Sequence, residues 1–278
     1  MVIRIQPREL QQMAKIIGEL SGIVIDSRKD YLVETRLSSL VGECGCKSFG
    51  EFLHLLSTRR DRALCAKIID AITTNETLFF RDGAPFECLR QRILPDLISR
   101  EVAPAAPKTL RIWSAACSTG QEIYSVAMII RELLPSLSGW SVALLGTDIA
   151  GSAIAQARLG RYSQFEVSRG LPPQMLSKHF EANGSSWEIR EEVRAMVTFA
   201  MRNLHEPFAE LGRFDVILCR NVAIYFSPER RASLFRRLAE SLTPDGALFV
   251  GATETLSDMG DLFVARQDAK ATHYQIKR

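Results

Sequence analysis

Between Arg111 and Asp148 the chain carries residues whose types and order can hold a nucleoside. Leu110 to Trp113 alternate as a buried strand does, and a run of small residues follows: Ser114, Ala115, Ala116, Ser118, Thr119 and Gly120. An amphipathic helix then opens near Glu122, and a second apolar strand, Val142 to Gly146, ends on Thr147 and Asp148. Small residues between a strand and a helix N-terminus let a ligand approach the backbone closely. An acid at the tip of the next strand is placed to accept from the two hydroxyls of a ribose. The chemistry expected of this stretch is the binding of a nucleoside cofactor.

Such a site needs a scaffold, and the patterning supplies one after residue 75. Strand-like and helix-like segments alternate there, with further strands at Met196 to Met201, Phe214 to Cys219, Ala247 to Gly251 and Thr272 to Ile276. Ser227 suits an N-cap and Pro228 the first helical position, while Thr243-Pro244-Asp245-Gly246 reads as a β-turn. Residues 102–107, rich in alanine and proline, read as a loop ahead of the first strand. Alternating β and α units predict an α/β, doubly wound sheet with its ligand at the strands' C-terminal ends. One stretch breaks the alternation. Trp187 to Arg190, after the turn Asn183-Gly184-Ser185-Ser186, is expected to pair with a strand through Val193 to Phe199 as a small antiparallel β insertion, about 180–202.

Before residue 75 only helical periodicity appears. Ile16, Ile17 and Leu20, then Leu37, Leu40 and Val41, then Phe52, Leu53 and Leu56, then Leu64, Ile68 and Ile72 recur at spacings of three and four. The chain therefore divides into an N-terminal all-α domain, 1–75, and an α/β domain, 76–278. Basic residues cluster in the first: Arg28, Lys29 and Arg36, then Arg59, Arg60, Arg62 and Lys67. They read either as a solvated helix face or as a docking surface for an acidic partner.

Composition excludes other classes. With 35 basic and 32 acidic residues the net charge is +3, too small for a bulk nucleic-acid binder. No apolar run is long enough to span a bilayer and no signal peptide is evident, so a cytoplasmic protein without membrane insertion is expected. Six cysteines occur without C-x-x-C pairs, and the four histidines lie far apart, so reduced thiols and no metal are expected.

Three motifs give the chain a family. Asn75-Glu76-Thr77-Leu78-Phe79-Phe80-Arg81, Trp113-Ser114-Ala115-Ala116-Cys117-Ser118-Thr119-Gly120-Gln121-Glu122 and Cys219-Arg220-Asn221-Val222-Ala223-Ile224-Tyr225-Phe226 resemble, in order and spacing, those of CheR-type chemotaxis receptor methyltransferases. Ala223 stands where that family usually has methionine, and Gly251-Ala252-Thr253-Glu254 replaces a more familiar G-H-S-E. The resemblance implies a class I methyltransferase (Rossmann-like) fold with S-adenosyl-L-methionine as cofactor. It also implies transfer of the methyl group to glutamate side chains on the cytoplasmic helices of chemoreceptors. It puts Arg81 and Tyr225 at the transferring methyl, and Asp148 on the ribose. Glu122 falls near the cofactor's methionine or ribose portion, with Asn75, Thr77, Asn203, Leu204, Asn221 and Val222 as further cofactor contacts. No Asn/Asp-Pro-Pro-aromatic tetrad and no Pro-Cys nucleophile is present, so base methylation is not expected.

Plainer roles exist for the same residues. Asp148 also suits the N-cap of a helix beginning near Ser152, Arg81 the end of a helix through Phe86 to Ile93, and Tyr225 with Phe226 a core aromatic pair. Asn203 and Asn221 also suit turns. A signalling adaptor that binds the cofactor without turnover is the alternative to an enzyme. Arg36, Arg59, Arg60 and Arg62 are the expected receptor-docking residues. Family members that bind a C-terminal receptor peptide carry a longer glycine-rich loop in the insertion. With only Glu181 to Ser186 there, no dependence on such a tether is expected.

Overall fold

The computed structural model describes residues 2–26, 30–59, 61–100, 108–133 and 138–277. Arg28, Lys29, Arg60 and the whole of the expected loop at 102–107 lie outside these. Four helices form the N-terminal bundle: α1 (Pro7–Ser21), α2 (Asp30–Glu43), α3 (Phe49–Thr58) and α4 (Arg62–Ile72). Their starts follow from local chemistry. Pro7 opens α1, Ser48 accepts from Glu51 N–H at 3.2 Å, and Asp61 accepts from Leu64 N–H at 2.8 Å. Met13, Ile17, Val33, Leu37, Phe52 and Ile68 close a core of their own.

A segment without regular structure leads to α5 (Ala84–Cys88), a π-helical turn (Leu89–Ile93) and α6 (Leu94–Ile98), which run on as one helix. The α/β body follows in order as β1 (Thr109–Ala115), α7 (Gln121–Leu133), β2 (Ser141–Asp148), α8 (Gly151–Leu159), β3 (Arg161–Ser163), α9 (Gln164–Ser168), α10 (Pro173–His179), β4 (Phe180–Asn183), β5 (Ser186–Ile189), α11 (Glu191–Arg194) and β6 (Val197–Met201). It continues with β7 (Phe214–Leu218), α12 (Pro228–Glu240), β8 (Leu242–Phe249), β9 (Phe263–Asp268) and β10 (Ala271–Ile276). Seven strands form one sheet in the order β6-β2-β1-β7-β8-β10-β9, parallel from β6 to β8, with β10 antiparallel to β8. Strand order reverses at β1, where β2 lies on one side and β7 on the other, which is where a doubly wound sheet opens its crevice.

Two expectations are corrected. Val197 to Met201 does not pair with the insertion but adds to the main sheet, parallel to β2. Gly146 is the reason: a Cβ there would come within 2.7 Å of the Phe199 ring, so only glycine leaves room for this neighbour. The insertion is instead a three-stranded antiparallel sheet, β3-β5-β4. The Thr243 to Gly246 turn is also absorbed, because Phe214 faces Leu242 while Val216 faces Ala247, and the excess residues of β8 form a bulge inside the strand.

The bundle is fastened to the body at the end of α1. Asn203 Nδ2 donates to Leu20 O at 3.0 Å, Val24 N–H donates to Tyr225 O at 2.9 Å, and Arg230 donates to Gly18 O. Gly22, at φ +77°, lies against His205, whose ring would be 1.7 Å from a Cβ at that position. His205 also packs edge-on to Phe226, with ring centroids 4.3 Å apart. Burial, then Arg230 and Arg237, lowers its pKa to about 4. A histidine that resists protonation when folded but not when unfolded gives stability that is complete above the unfolded pKa of about 6.5 and is lost as pH falls toward the folded value. Urea titrations from pH 7 to pH 4 should therefore show a smaller loss of stability in His205→Gln than in the wild type. Equal slopes would show that this ring does not titrate across the seam.

Candidate active site

The crevice at the C-terminal ends of β1, β2 and β7 encloses about 860 Å³ of free space, part of it open to solvent. Its floor is the turn from β1 into α7. Ala116 (φ +70°) and Ser118 (φ +51°) take left-handed conformations there, which cost about 1–3 kcal/mol each and need support. Support comes from Cys117 N–H, which donates to Thr147 O at 2.8 Å, and from Ser118 N–H, which donates to Asp148 Oδ2 at 2.8 Å. The Ser118 hydroxyl reaches across to Asn75 O at 2.9 Å and ties the first motif to the second.

Asp148 is buried at the tip of β2 and does not cap α8, whose N-cap is Ala150. Its Oδ1 accepts from Ala150 N–H at 2.9 Å. Burial raises its pKa, and the N–H groups of Ala150, Ser118 and Ile149 oppose that rise. Each carboxylate oxygen offers about two lone-pair sites, so these backbone donors leave room for an incoming hydroxyl.

Glu122, Arg220 and Tyr225 line the same cleft. Glu122 accepts from Ser114 Oγ at 2.7 Å and from Arg220 Nη1 at 2.9 Å. Asn221, at φ +58°, is held by Glu254, whose Oε2 accepts from Asn221 N–H at 2.6 Å and Gly251 N–H at 2.7 Å. Tyr225 sits on the short turn Ala223–Tyr225 that follows. Arg81 is half-buried at the same cleft, its Nη1 donating to Glu76 O at 3.2 Å. Asn75, Thr77, Arg81, Glu122, Asp148, Asn203, Leu204, Asn221, Val222 and Tyr225 all line this one cleft.

Arg36 is not there, nor is it free at the surface. It donates to Ile72 O at 2.7 Å, Thr73 O at 2.8 Å and Thr74 Oγ1 at 2.9 Å, so its guanidinium closes the end of α4. Arg59 and Arg62 are exposed, Arg59 beside Asp61 at 3.4 Å, and Arg60 lies outside the described residues. Sequence reasoning passed over Arg220, Arg202 and Glu254 as participants. A charged residue directly after the apolar run Phe214 to Cys219 was the available signal for Arg220, since a buried cation requires partners.

The cleft fits a nucleoside cofactor on its own features. A buried carboxylate faces it, and Arg202 Nε and Arg220 Nε are buried at its walls with no hydrogen-bond partner among the described residues. A doubly wound seven-stranded sheet with a reversed strand, β10, inserted between β8 and β9, an acid at the second strand tip and a cleft over the switch point define a class I S-adenosylmethionine-dependent methyltransferase fold. Comparison with known sequences narrows the class. Residues 8–73 match the family described as CheR methyltransferase, all-alpha domain, and residues 75–272 that described as CheR methyltransferase, SAM binding domain. The chain is 42% identical over 260 residues to Chemotaxis protein methyltransferase 1 of Pseudomonas aeruginosa, covering 92% of this chain and 93% of that protein. It is 39% identical over 264 residues to Chemotaxis protein methyltransferase of Vibrio anguillarum, covering 94% of each. The chain belongs to the CheR methyltransferase family, and its cofactor is S-adenosylmethionine.

Proposed function

We propose that this methyltransferase acts in the cytoplasm on glutamate side chains of chemoreceptor helices, forming glutamyl methyl esters. The single observation that carries the reading is that Arg81 and Tyr225, far apart in sequence, line the same cleft as the buried Asp148. S-adenosylmethionine supplies a methyl on a cationic sulfur, and the carbon–sulfur bonding pair stays with sulfur as a carboxylate oxygen takes the methyl. A glutamate is already ionised at neutral pH, so no general base is needed. The protein's task is to strip water from that carboxylate and hold it in line, and orientation of this kind is worth about 7–11 kcal/mol in well-aligned cases. Arg81 steers the carboxylate by charge and hydrogen bonding, and the Tyr225 hydroxyl completes its seat. Val222, Phe226 and Ile149 give the cleft apolar walls that exclude water. Asn75, Thr77, Asn203, Leu204, Asn221 and Val222 hold the cofactor, with Asp148 on its ribose and Glu122 on its polar portion. Labelled S-adenosylmethionine mixed with chemoreceptor cytoplasmic fragments tests the reading: label should enter the receptor, and binding without transfer would contradict it.

The division into a docking domain, 1–75, and a catalytic domain, 76–278, belongs to the same proposal. Arg59, Arg60 and Arg62 read the acidic face of the receptor bundle, while Arg36 fixes the end of α4 beside the cleft loop. Reversing Arg59, Arg60 and Arg62 to glutamate should raise the receptor KM, and the wild-type KM should itself rise with salt, because exposed charges act at long range and are screened. Cofactor affinity should hardly change. Unchanged receptor kinetics would leave these arginines as solvated charges.

Recognition is also proposed to be direct, without a C-terminal receptor peptide. Asn183 pairs with Ser186 across a turn of two residues, which leaves little backbone to receive an added strand. Receptors lacking their C-terminal tail should be methylated at the wild-type rate. Micromolar binding of the tail peptide, with loss of methylation on its removal, would contradict this.

A further inference from the structure

Arg81 lies between two residues in left-handed conformations, Phe80 (φ +48°) and Asp82 (φ +68°). Neither is glycine, so the segment holds this shape only where its surroundings impose it. Phe80 is held by its N–H, which donates to Ser125 Oγ at 3.0 Å, and by its carbonyl, which accepts from Gly83 N–H at 2.9 Å. Arg81 and Asp82 are held by one residue. Arg220 Nη2 donates to Arg81 O at 3.0 Å and to Asp82 Oδ2 at 2.6 Å, while Nη1 of the same guanidinium donates to Glu122 Oε2 at 2.9 Å. The Arg220 side chain is 1% exposed, and its guanidinium carbon lies 5.7 Å from the centroid of the Phe86 ring.

We propose that Arg220 and Asp82 form a positioning strut that sets the Arg81 side chain against the cofactor side of the cleft, a role that rests on reading Arg81 as the residue beside the transferred methyl. Arg220 is rigid where it matters. A planar fork binding a carboxylate on each side fixes both partners, and a lysine cannot reproduce it. Glu122, the other end of the strut, is itself fixed by Ser114 on β1. The loop carrying Arg81 is thereby referred to β1, the strand where the sheet order reverses, rather than to the solvent-facing segment on which it lies. Asp82 is the accessible end of this chain, since its side chain is 34% exposed and Glu122's only 11%.

The test is a double-mutant cycle on the full chain, read as single-turnover methyl transfer from labelled S-adenosylmethionine to a chemoreceptor cytoplasmic fragment. Asp82→Asn keeps a side chain that tolerates positive φ and removes the charge that strengthens the bond to Arg220. It should lower the rate about tenfold or more, since small displacements of an orienting group cost that much. S-adenosylhomocysteine affinity, measured by calorimetry, should stay within about twofold, because the Glu122 arm is intact. In an Arg81→Ala background the same substitution should have almost no effect on the rate. Arg220→Lys, which also loosens Glu122, should lower S-adenosylhomocysteine affinity as well, but at saturating S-adenosylmethionine it should cost rate only where Arg81 is present. A loss of equal factor in both backgrounds, or none in either, would overturn the strut. Wild-type turnover in Arg81→Ala alone would instead remove the reading of Arg81, and the strut with it.

Discussion

Arg81→Ala should lower turnover at saturating receptor by about two to three orders of magnitude, the scale of losing one preorganised charged donor at a reacting centre. S-adenosylhomocysteine affinity should fall far less, by about threefold, because the other cofactor-facing groups remain. The geometry explains the imbalance. Asp148, Ala116, Ser118, Asn203 and Leu204 line the cleft together with Arg81, and in the proposed reading they hold the nucleoside without it. Tyr225→Phe removes one hydroxyl and should cost about fivefold, in line with a hydrogen bond worth about 1 kcal/mol. Rapid-quench kinetics with separate titration of the cofactor resolves the two parameters. Either variant turning over normally once receptor is saturating would assign that residue to docking.

The second large effect lies at Asp148. Its replacement by asparagine should weaken S-adenosylhomocysteine binding by roughly 1.5–3 kcal/mol, the scale of a hydrogen bond to a charged group. That is on the order of tenfold to a hundredfold in affinity. The substitution preserves size and the bonds from Ser118 and Ala150 in part, so the protein should fold. A pH signature accompanies it. Because burial raises the pKa of Asp148, cofactor affinity in the wild type should begin to fall at a higher pH than an ordinary aspartate would give, as the carboxylate protonates on acidification. The asparagine variant should lack that component. Calorimetry showing unchanged affinity in a folded variant would contradict the ribose assignment.

Local chemistry made much of this legible in advance. The helices of the bundle declare themselves through apolar spacing, and Ile17, Leu37, Phe52 and Ile68 do close its core. The strand, small-residue turn and helix around Trp113 to Glu122 are readable because each step depends on neighbours in sequence. What escaped depends on partners far along the chain. The pairing of Val197 to Met201 with β2 follows from Gly146 making room for Phe199, some fifty residues away, and no local pattern encodes it. The bulge at Thr243 to Gly246 is likewise set by β7. The contacts of Arg220 with Glu122 and Asp82 span 98 and 138 residues of sequence. Arg36 shows the opposite hazard: a charge grouped with surface arginines by sequence turns inward to three acceptors at the end of α4.

The most direct test of the central claim asks which atom receives the methyl group. The purified chain, labelled S-adenosylmethionine and the cytoplasmic fragment of a chemoreceptor from the same cell should be incubated together, and the receptor digested and analysed by mass spectrometry. The account predicts a methyl mass increment on glutamate side chains of the receptor helices, lost on mild alkaline treatment as an ester would be, and formed far more slowly with Arg81→Ala. Label that withstands alkali, or that sits on lysine, arginine or a backbone terminus, would contradict it.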